Sequence, residues 1–221
     1  MTVMPNLFRH LFRKSLWHKG SFEVKRLKIG VLASGGGTNL QSIIDRSNDG
    51  TLHGDVVVVI SNNSGALALD RARTHGIDAL HVSSVTEGSP VAVDRRITDE
   101  MLKRDVDIVV LAGYMKKIGP ILITTYKSRI INIHPALLPK FGGKDMYGIR
   151  VHEAVIAAGE KESGVTVHVI DDRYDHGRIL VQVTVPVLPD DTPETLQKRV
   201  LEQEHEVLPA TIDKLAEEWD T

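Results

Sequence analysis

The sequence has no cysteine among its 221 residues. This absence excludes disulfide bonds, thiolate metal ligands and a thiol nucleophile, and it suits a cytoplasmic protein. Long apolar runs are also missing, because no stretch approaches the roughly 20 residues of a membrane span. Neither sign of charge dominates, and a formal net charge of −2 gives no reason to expect nucleic acid as a partner. The sequence therefore predicts a soluble, cytoplasmic protein without membrane or nucleic-acid partners.

Basic residues are unevenly distributed, with an excess at the amino terminus. Residues 1–28 contain seven basic residues and one acid, Glu23, with aromatic and aliphatic side chains between them. A membrane-contacting amphipathic helix or an organelle transit peptide would have this composition. The segment nevertheless has too few apolar residues for a core of its own. We expect residues 1–26 to be an extension outside the fold and residues 27–221 to form a single domain.

Beyond this segment, short β-rich runs alternate with segments of helical periodicity. Strands are predicted at 27–33, 55–63, 77–82, 106–113 and 129–134, with helices between them. This alternation predicts an α/β fold, namely a doubly wound, mostly parallel Rossmann-like sheet with helices on both faces. Runs at 164–170 and 179–185 predict a carboxyl-terminal antiparallel strand pair, each strand with one face in the core. A last helix is predicted from Thr192 to about residue 215, with Asp191 and Thr192 as its cap.

The fifth strand ends in two polar side chains. Asn132 and His134 are two positions apart, so both point the same way on an extended backbone, and Pro135 then stops the strand. Ligands bind at the carboxyl ends of the strands in open α/β sheets. An amide donor beside a titratable imidazole suits a carbonyl that becomes an oxyanion while protons move nearby. A structural histidine at a strand end is the alternative interpretation.

A glycine-rich turn follows the first strand. Gly35, Gly36 and Gly37 lead directly into a helix that we expect Thr38 or Asn39 to cap. Backbone N–H groups at such a helix start bind anions, so the turn suits a phosphate. The turn matches neither the G-x-G-x-x-G motif nor the P-loop, and a glycine turn without a ligand is the alternative.

Two loops are candidates for the remainder of a site. Residues 114–118 form an apolar loop with a basic edge, which suits a flat ring system or core packing. Residues 171–178 lie between the last two strands, are rich in charge, and could fold over the carboxyl edge of the sheet. The ten histidines contain no H-x-x-x-H or similar ligand pair, so we expect no metal. We interpret His168 as a strand residue that supports the site.

Together these motifs resemble the phosphoribosylglycinamide formyltransferases, folate-dependent enzymes of purine biosynthesis. The resemblance covers residues 28–215 and is carried by SGGGTNLQ at 34–41, AGYM at 112–115, NIHPALLP at 132–139, GVTVH at 164–168 and QEH at 203–205. It implies that a formyl group passes from the co-substrate 10-formyltetrahydrofolate to the amine of N1-(5-phospho-D-ribosyl)glycinamide, on the route to IMP. It also implies a monomer or homodimer that acts on small molecules.

The resemblance further implies roles for individual residues. Asn132, His134 and Asp175 would form the catalytic group, and Asp175 would raise the pKa of His134 above its ordinary value of about 6.5. Four residues would bind the ribonucleotide substrate: Gly37, Thr38, Asn39 and Glu204. Ten residues would line the folate pocket: Met115, Lys116, Lys117, Ile118, Asn132, Asp171, Asp172, Arg173, Tyr174 and Asp175.

The sequence departs from the family pattern in four places, one of which is a loop at 142–148 that is longer than in the shortest family members. Arg178 stands where a proline is usual, Lys116 stands where an arginine is usual, and an arginine expected near Pro90 has no clear counterpart. Formyltetrahydrofolate hydrolase and methionyl-tRNA formyltransferase are alternatives, but each would be expected to carry an additional domain for which this chain has no room. A catalytically silent nucleotide-binding module is an alternative from another class.

Overall fold

Runs of valine, isoleucine and leucine form one seven-stranded sheet within residues 25–219, the part of the chain that the computed structural model describes. The strands are β1 (Leu27–Leu32), β2 (Gly54–Ser61), β3 (Asp78–His81), β4 (Ile108–Leu111), β5 (Ile130–His134), β6 (Glu162–Val169) and β7 (Ile179–Pro186). Their order across the sheet is β3-β2-β1-β4-β5-β6-β7. Strands β1 to β5 pair in parallel, whereas β6 pairs antiparallel with both β5 and β7. The predicted sheet is therefore confirmed.

Helices cover both faces of the sheet, as predicted. They are α1 (Thr38–Asn48), α2 (Leu67–Thr74), α3 (Ser84–Glu87), α4 (Pro90–Leu102), α5 (Pro120–Thr125), α6 (Ile149–Ala157) and α7 (Pro193–Trp219). Side chains along β1 point alternately to the two faces of the sheet. Ile29 and Val31 pack with α1, α2, α6 and α7 on one face, whereas Leu32 packs with α4 and α5 on the other. The burial of β1 on both faces explains its continuous apolar sequence.

The order of the strands creates a crevice at the carboxyl end of β1. Strands β2 and β3 lie on one side of β1, whereas β4 and β5 lie on the other. The connections after β1 and β4 therefore leave the sheet side by side and diverge, which is where open α/β sheets bind ligands. Two hydrogen bonds join them, from Ser34 N–H to the Gly113 carbonyl (3.0 Å) and from Met115 N–H to Ser34 Oγ (2.8 Å).

Two sequence predictions about local structure are wrong. The amino-terminal cap of α1 is Gly37, at φ 69°, without a side-chain capping bond, rather than Thr38 or Asn39. A Cβ at Gly37 would lie 2.7 Å from Ala68 Cα, so close packing against α2 requires glycine there. Strand β6 is buried on both faces, not one. Its polar residue Thr166 can be buried because it donates to the Ala136 carbonyl (2.6 Å) and accepts from Leu138 N–H (3.1 Å).

The amino-terminal prediction falls mostly on residues outside the described part of the chain. The structure does not describe residues 1–24, so the expectation that they form an extension separate from the fold stays a prediction. Lys25 and Arg26 do contact the fold, since their side-chain nitrogens lie 3.0 Å from Asp107 Oδ1 and 2.6 Å from Asp55 Oδ1. Within residues 25–219, every helix is too short or too polar to cross a membrane.

Candidate active site

A cleft of about 460 Å³ opens at the carboxyl ends of β1, β4 and β5. All residues that the sequence predicts as catalytic, substrate-binding or folate-binding lie in its lining: Gly37, Thr38, Asn39, Met115, Lys116, Lys117, Ile118, Asn132, His134, Asp171, Asp172, Arg173, Tyr174, Asp175 and Glu204. They come from five segments that are distant in sequence: the glycine turn with α1, the loop after β4, the end of β5, the β6–β7 loop, and α7. The fold therefore places the predicted residues in one cavity.

Asn132 is oriented by His168, its partner in the β5–β6 register. The Nδ1 atom of His168 lies 3.1 Å from the Val169 carbonyl, which only accepts, so Nδ1 holds the proton of the neutral ring. The Nε2 atom is then an acceptor, and Asn132 Nδ2 donates to it at 3.1 Å. This contact fixes the amide of Asn132 and leaves its second N–H for a ligand. His168 thus supports Asn132, in agreement with its interpretation from the sequence.

His134 and Asp175 meet beside this pair. The Nε2 of His134 lies 2.9 Å from the Phe141 carbonyl, so in the neutral ring Nε2 carries the proton and Nδ1 is free to accept one. That Nδ1 lies 3.8 Å from Asp175 Oδ2, which also accepts from Gly143 N–H at 2.8 Å. The other carboxylate oxygen, Oδ1, lies 3.5 Å from His168 Nε2. The Asp175 carboxylate therefore lies next to both histidines, and its bond from Gly143 N–H attaches it to the loop that follows β5.

The pKa of His134 is lower than its ordinary value, so the prediction of a pKa above about 6.5 is wrong, although Asp175 does act to raise it. Burial of the ring lowers the pKa most, and this outweighs the opposing effects of Asp175 and the Phe141 carbonyl. Burial acts to raise the pKa of Asp175, but His168, His134 and the Gly143 N–H together hold it below the ordinary value. At neutral pH the site consequently holds a neutral imidazole next to a carboxylate.

A third histidine that the sequence did not single out lies in the same lining. His152, on α6, is 1% exposed, and its Nδ1 has no hydrogen-bond partner among the described residues. Burial, with a smaller effect of nearby His134, lowers its pKa to about 4. The ring is therefore neutral at physiological pH. In the sequence His152 is only a polar residue among the valines of a predicted helix, so no pattern marks it as part of a site.

The glycine turn and α7 form another wall of the cleft. Asn39 Nδ2 donates to Glu204 Oε2 at 2.6 Å, and both side chains are almost fully buried. Burial raises the pKa of Glu204 to about 7, although the bond from Asn39 opposes the rise. The Oδ1 of Asn39 has no partner within the described chain. A ligand here would meet one unsatisfied acceptor and a carboxyl group whose pKa is raised toward neutrality by burial.

Exposed apolar and cationic side chains line the mouth of the cleft. Met115 and Tyr174 are 51% and 50% exposed, so both present apolar surface at this mouth. The Lys117 ammonium lies 5.8 Å from the centre of the Tyr174 ring and so connects the loop after β4 with the β6–β7 loop. Lys116 and Arg173 add positive charge to this wall, whereas Arg95 and Arg96 are not part of the lining. Arg178 is exposed, and its carbonyl accepts from Val169 N–H in the strand pair (2.9 Å).

Within residues 25–219, no group of three or more His, Cys, Asp or Glu side chains is arranged to hold a metal ion.

Comparison with known proteins identifies the class. Residues 27–212, most of the chain, match the formyl transferase family, and the chain belongs to that family. The solved structure of glycinamide ribonucleotide transformylase 1 from Symbiobacterium toebii has the same fold, with a TM-score of 0.84, 40% identity, and coverage of 90% of this chain and 92% of that one.

Curated relatives specify the group within the family. Phosphoribosylglycinamide formyltransferase of Escherichia coli is 37% identical over 191 residues, which are 86% of this chain and 88% of the relative. The chloroplastic phosphoribosylglycinamide formyltransferase of Vigna unguiculata is 45% identical over 195 residues, 88% of this chain. The chain spans 62% of the length of this plant relative.

Proposed function

We propose that this chain transfers the formyl group of 10-formyltetrahydrofolate to the amine of N1-(5-phospho-D-ribosyl)glycinamide, in the biosynthesis of purines. The observation that carries the proposal is the meeting of Asn132, His134 and Asp175 in one cleft with a glycine turn suited to phosphate. The names of the relatives support it, since the Escherichia coli and Vigna proteins are phosphoribosylglycinamide formyltransferases.

Asn132 is proposed to stabilise the oxyanion. Attack of the amine on the formyl carbon forms a C–N bond and turns the carbonyl oxygen into an anion. Because His168 accepts one N–H of the Asn132 amide, the other N–H is oriented before the substrates bind. A donor that is already in place stabilises the developing charge without reorganisation, and its effect does not depend on pH.

His134 and Asp175 are proposed to move the proton. The attacking amine must lose a proton, and the folate nitrogen must gain one as its bond to the formyl carbon breaks. The lowered pKa of His134 leaves its Nδ1 unprotonated at neutral pH, so this atom can accept the proton from the amine. Asp175, 3.8 Å away, stabilises the imidazolium that forms and can relay the proton to the leaving nitrogen, directly or through water.

The walls of the cleft are proposed to bind the two substrates at opposite sides of this group. Gly37, Thr38 and Asn39 would hold the phosphate and ribose end of the ribonucleotide, with Glu204 as a further contact. The folate would lie along residues 115–118 and 171–175, where Lys116, Lys117 and Arg173 can meet its carboxylates. We also propose that the protein acts in the cytoplasm as a monomer or homodimer, without metal, membrane or nucleic acid.

A transfer assay with isotope-labelled formyl-folate tests the proposal. Purified protein should place the label on the glycinamide ribonucleotide, and formation of labelled product should require that acceptor. Labelled formate released without acceptor would instead indicate a hydrolase. Absence of both products would indicate a silent nucleotide-binding module.

A further inference from the structure

The glycine turn is held from behind by α2, on the side away from the cleft. The Gly35 carbonyl accepts from Ala68 N–H at 3.1 Å, and the Gly36 carbonyl accepts from Arg71 Nε at 2.8 Å. In a trans peptide the C=O and the following N–H point in opposite directions. The N–H groups of Gly36 and Gly37 therefore point away from α2.

These N–H groups are available for a ligand. In the described part of the chain, the N–H groups of Gly36, Gly37, Thr38 and Asn39 have no acceptor, and all four residues line the cleft. A Cβ at Gly36 would meet nothing within 4 Å, which agrees with an open side of the turn. Successive N–H groups that face one point make an anion site.

Arg71 is the side chain that connects this turn with the first helix. Its Nη1 donates to Gln41 Oε1 at 3.0 Å, so one guanidinium group holds both the Gly36 carbonyl and the second turn of α1. Among the described residues it makes no ion pair with a carboxylate, and Gln41, not Arg71, contacts Asp45. Its charge therefore adds to the positive potential of the turn, whereas nearby Arg46 is paired with Glu206.

We propose that Arg71 is a positioning residue for the substrate phosphate. It fixes the Gly36–Gly37 peptide with its N–H toward the cleft, and it supplies an uncompensated positive charge behind the turn. This inference rests on the proposed function, in which the turn binds the phosphate of the ribonucleotide. Arg71 acts through the turn and has no part in the proposed chemistry at Asn132, His134 and Asp175.

The test compares Arg71→Ala, Arg71→Lys and the control Arg73→Ala in steady-state kinetics. Arg73 lies on the same helix but pairs with Asp70 (2.7 Å). Arg71→Ala should raise the KM for the ribonucleotide about tenfold or more while kcat and the KM for the folate change less than about threefold, since a charge-assisted bond is lost only at the phosphate end. Arg71→Lys, which keeps the charge, should restore part of the affinity, and Arg73→Ala should match the wild type.

Titration with inorganic phosphate separates this inference from the proposed function. In ¹H–¹⁵N spectra of the full chain, phosphate should shift the Gly36 and Gly37 amides of the wild type and of Arg73→Ala, and should shift those of Arg71→Ala only at much higher concentration. This result would support the role of Arg71 at an anion site even if no formyl transfer occurred. Equal phosphate affinity in Arg71→Ala, an unchanged ribonucleotide KM, or an equal rise of both KM values would overturn it.

Discussion

At the scale of single residues, Asn132 depends on a neighbour for its orientation. An amide can present either its oxygen or its N–H groups to a substrate, and only the N–H groups stabilise an anion. His168, fully buried and held by the Val169 carbonyl, accepts from Asn132 Nδ2 and so selects the useful orientation. The catalytic proposal for Asn132 therefore rests on a buried hydrogen bond as well as on its place in the cleft.

Replacing Asn132 with alanine should lower kcat by about 10² to 10³, because loss of one oxyanion donor has this effect in comparable acyl chemistry. The loss of its bond to the buried His168 should lower the free energy of unfolding by about 1–3 kcal/mol, which leaves the protein folded. Transfer kinetics and urea unfolding would measure the two effects. Asn48→Ala, at the exposed end of α1, is the control and should change neither. A wild-type rate in Asn132→Ala would remove this residue from the mechanism.

Glu204 should limit stability above neutral pH. Its pKa is raised from 4.5 to about 7, so between these values the folded state binds more protons than the unfolded state, and stability falls as pH rises. A glutamine in its place would stay neutral and could still accept from Asn39. Glu204→Gln should therefore be more stable than the wild type by about 2–3 kcal/mol at pH 8, and nearly equal to it at pH 4.5.

Urea unfolding at the two pH values measures this difference. Glu202→Gln, at an exposed position on the same helix, should show no such dependence on pH. A stability difference for Glu204→Gln that is the same at both pH values would contradict the account. Activity should fall in Glu204→Gln, since the side chain is a proposed substrate contact.

Residue types and spacing predict part of this chemistry and leave part of it out. The two-residue spacing of Asn132 and His134 predicts that both face one cleft, and the structure confirms this placement. The predicted direction of the pKa shift of His134 is wrong, because burial of the ring lowers the pKa more than the Asp175 carboxylate raises it. That burial depends on segments distant in sequence. His152 was missed because one histidine in a helix has no pattern that separates a site residue from a core residue.

At the scale of elements, the β6–β7 loop determines the position of Asp175. Asp175 has φ 53°, a left-handed conformation that is uncommon for residues other than glycine. Gly177 closes the loop against β6, and a Cβ on it would lie 1.8 Å from the Val169 carbonyl oxygen. The loop can follow its path only with glycine at this position.

Gly177→Ala should therefore displace the loop and carry Asp175 away from His134. We expect kcat to fall at least tenfold, since small misplacements of reacting groups have effects of this size. Transfer kinetics together with thermal unfolding would show whether the loss exceeds any loss of folded protein. Gly65→Ala is the control, because its new methyl would meet nothing nearer than Asn63 Oδ1 at 3.8 Å. A kcat of Gly177→Ala equal to that of the wild type would show that activity does not depend on this path of the β6–β7 loop.

At the scale of the whole molecule, the sequence predicts the architecture better than the local contacts. Four of the five parallel strands, β1, β2, β4 and β5, were predictable because each is a short apolar run with β-branched residues, as burial on both faces requires. The edge strand β3, with the sequence DALH, is only partly buried and follows from the alternation with helices alone. The burial of β6 on both faces is not predictable from its sequence, because its polar residues find hydrogen-bond partners in distant segments. Thr166 bonds to residues 136 and 138, and His168 bonds to Asn132. A local pattern contains no information on such partners.

The central claim is that Asn132, His134 and Asp175 carry out formyl transfer to the glycinamide ribonucleotide. The most direct measurement is the rate of labelled formyl transfer by the wild type and by Asp175→Asn, with unfolding followed in parallel. The account predicts labelled formyl-ribonucleotide from the wild type, and a rate at least about 100-fold lower from a folded Asp175→Asn, because proton movement is lost. Transfer at the wild-type rate by Asp175→Asn, or no labelled ribonucleotide from the wild type, would contradict it.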